Sequence, residues 1–146
     1  MGTLLRRVIA ALDGGAQQVY DRHELDFRPR YFPIARQLLD HGPAPVGQLS
    51  EMLGVTQPAI SQTLKEMEND GLIAFEAGED RRVRLAGLTR QGLSQCRRLR
   101  PIWDAVAQSA DELNAEIDAD LPALLRRLIA ALDERPFATR IEEKLS

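Results

Sequence analysis

The sequence predicts a mainly helical protein that carries one small β-hairpin, an α+β combination dominated by helices. Apolar residues recur at three- and four-residue spacing through most of the chain, the period of a helix with one buried face. Residues 72–86 depart from that period, because an apolar run, a glycine-containing turn and an alternating run follow one another there. A hydrophobic content of 44% supports a packed core.

Two helices are predicted in the N-terminal part of the chain. The first covers residues 3–24, and its apolar stripe is interrupted by Gly14 and Gly15. These glycines are either a weak point in the helix or the place where another helix comes close. Pro29 breaks the chain because the residue before a proline avoids the helical conformation. A second helix follows over residues 31–41.

Two short helices joined by a glycine-containing turn are predicted next. The first covers residues 46–53 and is closed by Gly54. The second starts at Thr56, whose hydroxyl can accept a hydrogen bond from the first turn, and Pro58 is tolerated in that turn. Gly71 ends it in a left-handed conformation. This arrangement is a helix-turn-helix, whose second helix enters the major groove of DNA.

The second helix of this motif has one apolar face, formed by Ile60, Leu64 and Met67. The opposite face carries short or amide-bearing side chains around Lys65, a composition that suits base edges and phosphates. An isolated helix with such a face would simply be exposed to solvent. Its place in a helix-turn-helix favours DNA reading. An apolar exposed face over residues 56–69 would instead favour the alternative function, a winged-helix module for protein–protein contacts.

A β-hairpin is predicted after the motif. Residues 72–75 form the first strand, residues 76–80 the turn and residues 81–86 the second strand, with Val83 and Leu85 on one face. The arginines near the tip suit a narrow minor groove, which concentrates negative potential.

Over this stretch the sequence resembles the MarR family of winged helix-turn-helix transcription regulators. The matching segments are residues 49–55, 57–61, 67–73, 80–82 and 88–89, followed by Gly92. The resemblance implies a winged helix-turn-helix flanked by N- and C-terminal dimerisation helices. It also implies a transcription regulator, which we expect to be a repressor that binds a palindromic operator in double-stranded DNA as a homodimer. A cytoplasmic location is expected from the single cysteine, which allows no intrachain disulfide and fits a reducing compartment.

The resemblance further implies which residues contact DNA. Those expected to meet the major groove and its phosphates are Thr56, Gln57, Pro58, Ser61, Gln62 and Lys65. Arg82 matches the wing arginine of the family, Asp80 is placed to orient it, and Arg81 adds a phosphate or groove contact. Gly87 departs from the family pattern and is expected to loosen the second strand.

A small-molecule effector is also implied, because many members of the family bind small aromatic anions between the dimer helices and the DNA-binding lobe. The residues expected to contact such a ligand are Tyr31, Arg36 and Trp103.

A long helix capped by Thr89 follows the wing, and its apolar residues from Cys96 to Ile117 repeat as a heptad that favours pairing with another helix. Pro101 is expected to bend or break it. Asp120 caps a leucine-rich last helix. The predicted parts are therefore residues 1–41 for dimerisation and scaffolding, 42–92 for DNA binding and 93–146 for dimerisation. The alternative to a dimer is a monomer whose long helices cover the wing domain.

Several function classes find no support in the sequence. The two histidines and one cysteine form no catalytic or metal-binding pattern, so we expect no enzyme, cofactor or metal. Cys96 lies on the apolar stripe and is expected to be an inert thiol. No apolar run spans a membrane. The net charge of −3 and the excess of acids in residues 43–92 count against DNA binding, but Glu66, Glu68 and Asp70 lie late in their helix.

Overall fold

The computed structural model describes residues 1–145, which form seven α-helices, one 3-10 turn and three short strands. In chain order these are α1 (Gly2–Arg22), the 3-10 turn (Pro29–Tyr31), α2 (Phe32–His41), β1 (Ala44–Pro45), α3 (Val46–Leu53), α4 (Gln57–Asn69), β2 (Ile73–Ala77), β3 (Arg84–Leu88), α5 (Arg90–Glu116), α6 (Leu121–Glu134) and α7 (Phe137–Leu145). The predicted mainly helical α+β class is confirmed. No helix in this described part of the chain has the length and apolar character needed to cross a bilayer.

The chain divides into two compact units. The first runs from Met1 to Trp103 and contains all three strands together with every residue of the buried hydrophobic core. The second begins at Asp104 and contains the last part of α5 together with α6 and α7. Helices α6 and α7 bury none of their described residues in the chain by itself.

The helix-turn-helix forms as the sequence predicts. Gly54 ends α3 with φ +63°, a left-handed conformation that glycine adopts without steric cost. The hydroxyl of Thr56 accepts a hydrogen bond from the backbone N–H of Ala59 at 3.4 Å, and this starts α4. Gly71, just after the end of α4, has φ +75°. The predicted caps are therefore confirmed.

The wing is a three-stranded antiparallel sheet in the order β1-β3-β2. The predicted start of the second strand at residue 81 is wrong, and only Leu85 of the pair Val83 and Leu85 lies in the strand. Ala86 is wholly buried, whereas Leu85 is partly exposed and Val83 precedes the strand with 38% exposure. The loop between β2 and β3 extends to Val83, so β3 starts later than predicted.

The third strand, β1, was not expected from the sequence. Ala44 pairs with Ala86 and Pro45 pairs with Leu85, and a proline is tolerated because β1 lies at the edge of the sheet. Gly87 was expected to loosen β3, and this expectation is wrong. Gly87 pairs regularly with Ala74, and a Cβ atom at this position would lie 3.1 Å from the ring of Pro43.

Helix α5 is joined to the wing by Thr89. Its hydroxyl accepts a hydrogen bond from the N–H of Gly92 at 2.9 Å and donates one to the carbonyl of Gly71 at 2.6 Å. The helix continues through Pro101, so the predicted local break does not occur. Leu99 and Trp103, on either side of that proline, are both buried, and this packing stabilises the helical path.

Gly92 lets α5 lie directly on the backbone that leads into β2. A Cβ atom at this position would lie 2.0 Å from the carbonyl oxygen of Leu72, far inside van der Waals contact. We expect Gly92→Ala to lower the free energy of unfolding by about 1–3 kcal/mol, because overpacking forces backbone shifts. Thermal or urea unfolding of the purified protein measures this loss.

The matched control is Gly47→Ala in α3, where a Cβ atom would make only an ordinary contact, 3.5 Å from Gln57. Alanine there should be neutral or stabilising by up to about 1 kcal/mol, since glycine costs helix stability. Equal stability of Gly92→Ala and the wild type would show that α5 does not lie as close to Leu72 as the structure has it.

Candidate nucleic-acid interface

The predicted DNA-contacting residues of the helix-turn-helix lie together on one surface. All six are exposed along α4 and its N-cap, and they are Thr56, Gln57, Pro58, Ser61, Gln62 and Lys65. The buried face of the same helix consists of Ile60, Leu64 and Met67, which are at most 3% exposed. Burial of these apolar side chains determines the rotation of α4 about its axis. The polar residues therefore face away from the core.

Glu66, the residue after Lys65 on α4, is partly exposed, and its carboxylate has two side-chain partners. Its Oε2 forms an ion pair with Nη2 of Arg30, and its Oε1 accepts a hydrogen bond from the side-chain nitrogen of Gln62 at 3.2 Å. The sequence did not single out Arg30, because it lies 36 residues from Glu66 and follows no motif. Only the fold brings the two charges together.

The end of α4 is held by a second contact from the same region. The hydroxyl of Tyr31 donates a hydrogen bond to Oδ2 of Asp70 at 2.7 Å. Burial, followed by this hydrogen bond to Asp70, raises the pKa of Tyr31 to about 12. Tyr31 is therefore the proton donor in this contact at neutral pH.

The wing presents two arginines at its tip. The carboxylate of Asp80 accepts the backbone N–H of Arg82 at 3.0 Å, and the carbonyl of Asp80 accepts the N–H of Val83 at 2.9 Å. Asp80 thus shapes the loop through the backbone. The guanidinium groups of Arg81 and Arg82 are exposed, and neither forms an ion pair with any residue between positions 1 and 145.

A third arginine of the wing behaves differently. The guanidinium carbon of Arg84 lies 4.6 Å from the ring centroid of Phe75, a cation–π distance. Arg84 pairs with Ala77 in the hairpin, two positions from the Phe75–Ala86 pair and therefore on the same face of the sheet, so the strand register creates this contact. The sequence prediction missed it because the register was not known.

The three residues expected to bind an effector do not form an open pocket together. Tyr31 is wholly buried and Trp103 is 4% exposed, and both rings pack against Phe27, with centroid distances of 5.6 and 5.8 Å. Arg36 lies on the exposed side of α2 and pairs with Asp40 at 2.7 Å. The two aromatic residues therefore contribute to the core, while the cation is on the surface.

A helix-turn-helix followed by a three-stranded wing characterises winged-helix proteins, and residues 25–82 match the sequence model of the MarR family. Residues 25–82 are thus similar to the MarR family, and the chain carries a winged helix-turn-helix. The resemblance seen in the sequence is therefore confirmed.

Solved structures share this MarR fold along most of the chain. MepR of S. aureus, in complex with DNA, is 20% identical over 90% of this chain and 98% of its own, with a TM-score of 0.71. BpsR of Bordetella bronchiseptica, whose DNA binding is regulated by 6-hydroxynicotinic acid, is 21% identical over 88% and 91%, with a TM-score of 0.68. MarR of E. coli is 21% identical over 90% and 96%, with a TM-score of 0.60. At this identity the likeness shows the fold.

The single cysteine of this MarR-type chain lies inside the first unit. Cys96 is 2% exposed, and burial raises the pKa of its thiol. A buried thiol with little thiolate character reacts slowly with peroxide or alkylating reagents.

We expect peroxide to leave DNA binding unchanged, and Cys96→Ser to behave like the wild type in the same assay. Iodoacetamide should leave Cys96 unmodified in the native protein and modify it after unfolding in urea, as measured by mass spectrometry. If peroxide releases the wild type from DNA but does not release Cys96→Ser, the assignment of Cys96 as an inert thiol is wrong.

Proposed function

We propose that this protein is a sequence-specific DNA-binding transcription regulator, a repressor that binds a palindromic operator as a homodimer. In this proposal α4 is the recognition helix in the major groove, and the tip of the wing reaches the adjacent minor groove. A two-fold axis would place two recognition helices about one turn of DNA apart, roughly 34–36 Å.

The observation that carries the proposal is the composition of the exposed face of α4. That face is polar, with Gln57, Ser61, Gln62 and Lys65 exposed to solvent. These side chains suit base edges and phosphates, whereas a protein–protein docking helix would expose a cluster of apolar residues. The exposed guanidinium groups of Arg81 and Arg82 supply charge at the second point of contact.

The net charge of −3 does not contradict this proposal, because two of the three acids in the second half of α4 and at its C-cap have partners. Glu66 follows Lys65 directly on α4, and Arg30 pairs with it. Asp70 holds the hydroxyl of Tyr31 at the end of the helix. Phosphate binding depends on the local footprint rather than on the total charge of the chain.

Dimerisation is supported by apolar surface that the chain by itself leaves exposed. On α1 the exposed apolar residues are Leu4, Leu5, Val8, Ile9 and Leu12. In the second unit they are Val106, Leu113, Ile117, Leu124, Leu125, Ile129, Phe137, Ile141 and Leu145. Exposed apolar surface of this extent marks an interaction site. A second copy of the chain is the partner that the MarR-type fold suggests.

The mass in solution tests this assembly. Sedimentation equilibrium at micromolar concentration should give about twice the chain mass of 16.3 kDa. Ile129→Glu should shift the protein toward the monomer, because a carboxylate buried without a partner is strongly unfavourable.

Ala130→Glu adds the same charge at the neighbouring exposed position of α6, outside the leucine stripe, and should leave the dimer intact. A wild-type monomer that still binds a palindrome tightly would rule out the dimer. If Ile129→Glu and Ala130→Glu change the mass in solution equally, the leucine stripe of α6 is not the dimer interface.

Mutations in α4 and in the wing should change DNA binding in different ways. Gln62→Ala should cost about 1–3 kcal/mol at one base position of a selected operator and relax specificity there. Arg82→Ala should weaken binding to all sequences and reduce the salt dependence, since it contributes charge and groove shape. Binding to the operator and to scrambled DNA across a salt series separates the two effects.

Arg28→Ala, just before the 3-10 turn, and Gln37→Ala on α2 are controls with the same side-chain losses at residues that are assigned no contact with DNA or ligand. Thermal melting of each variant identifies losses that result from folding. If Arg82→Ala lowers the melting temperature without changing affinity or salt slope, the arginine is structural. If neither Arg82→Ala nor Gln62→Ala affects binding, the DNA-reading assignment must be abandoned.

We propose a small aromatic anion as the effector class. BpsR, a neighbour in fold, is regulated by 6-hydroxynicotinic acid. In this chain Tyr31 and Trp103 supply the aromatic surface and Arg36 the cation that such a ligand needs. Since both rings are buried without a ligand, binding requires the core around Phe27 to open. An opening there would reach α4 through the hydrogen bond between Tyr31 and Asp70.

A further inference from the structure

Two consecutive residues outside the helix-turn-helix hold the second half of α4. The 3-10 turn Pro29–Tyr31 brings Arg30 to Glu66 and Tyr31 to Asp70. The two acids are four residues apart, so they lie on the same side of the helix. The turn and the helix are thus joined by an ion pair and by a 2.7 Å hydrogen bond.

Tyr31 anchors the 3-10 turn in the hydrophobic core. Its side chain is wholly buried, and its ring packs edge-on against Phe27 with a centroid distance of 5.6 Å. Packing of this kind restricts the ring to one rotamer. The backbone of the preceding residue, Arg30, is therefore held in place. Its guanidinium, although half exposed, reaches α4 from a fixed starting point.

Glu66 divides its two carboxylate oxygens between two partners. Oε2 pairs with Arg30, and Oε1 accepts the side-chain N–H of Gln62 at 3.2 Å. A carboxylate can only accept hydrogen bonds, so the amide of Gln62 must direct its nitrogen toward Glu66. One N–H and the carbonyl oxygen of Gln62 remain available. These are the donor and the acceptor that a glutamine uses to read adenine.

We propose that Arg30 is a positioning residue for DNA reading, which acts through Glu66 on the side-chain amide of Gln62. This inference rests on the function proposed above for α4. The ion pair neutralises a carboxylate that would otherwise repel phosphate, and Glu66 selects one orientation of the amide before DNA arrives. A side chain that is ordered in advance loses less conformational entropy on binding.

A double-mutant cycle tests the path through Glu66. With an operator selected by the wild type from random DNA, Arg30→Ala should reduce affinity about threefold to tenfold and weaken discrimination at the base pair that Gln62 reads. In a Glu66→Ala background the same substitution should have little further effect, because the path is already interrupted. Arg28→Ala is the matched control, since Arg28 is exposed just before the same 3-10 turn and forms no ion pair with any residue between positions 1 and 145.

A direct contact between Arg30 and a phosphate makes the opposite prediction. Arg30→Ala would then cost the same with and without Glu66, and would weaken binding to operator and scrambled DNA alike with a smaller salt slope. That result overturns the proposal, as does an Arg30→Ala variant that binds like Arg28→Ala. Arg30→Lys keeps the positive charge and shows whether a loss of affinity comes from a folding defect. It should fall between the wild type and Arg30→Ala, with an unchanged melting temperature.

A measurement without DNA separates failure of this proposal from failure of the proposed function. NMR relaxation of the Gln62 side-chain amide in the free dimer should show an ordered group in the wild type and a mobile group in Arg30→Ala and Glu66→Ala. If the wild type selects no DNA sequence, the proposed function fails and this inference fails with it. If it selects DNA but the amide is equally mobile in all three proteins, only this inference fails.

Discussion

The hydroxyl of Thr89 makes the interaction on which the arrangement of the first unit depends. It accepts the N–H of Gly92 and donates to the carbonyl of Gly71, while the backbone N–H of Thr89 donates to the carbonyl of Leu72 at 3.0 Å. These three bonds join the end of α4, the start of β2, the end of β3 and the start of α5. Each satisfies a backbone group that would otherwise lack a partner at the end of an element. Helix α4 and the wing are thereby connected at one point.

The polar face of α4 is a consequence of how its other face is buried. Ile60, Leu64 and Met67 fit into the core, and the remaining residues must face outward. The 3-10 turn then adds directional contacts to Glu66 and Asp70, which packing alone would not provide. Apolar burial determines which side of the helix is available for binding. The polar contacts determine how the side chains on that side are oriented.

The second unit, unlike the first, has no buried core of its own among the described residues. Its helices α6 and α7 bury none of their described residues, although α6 carries a continuous leucine-rich stripe. Helix caps such as Asp120, whose carboxylate accepts the N–H of Ala123 at 2.8 Å, favour each helix locally. Local caps cannot replace a core, since most helix stability in proteins comes from packing of the apolar face. The homodimer proposed above would supply the apolar packing surface that these helices do not find in the single chain.

The sequence by itself determined the features that depend on near neighbours. The left-handed glycines, the caps Thr56, Thr89 and Asp120 and the apolar stripe of α4 all involve residues within about one helical turn, and their periodicity was sufficient to place them. The resemblance to the MarR family supplied the order of the parts. Tertiary structure alone decided where β3 begins and which of its residues is buried. Both depend on the length of the hairpin loop and on pairing with Ala44 in β1. It also decided the pairing of Arg30 with Glu66 and of Tyr31 with Asp70, because contacts across more than thirty residues depend on the path of the whole chain.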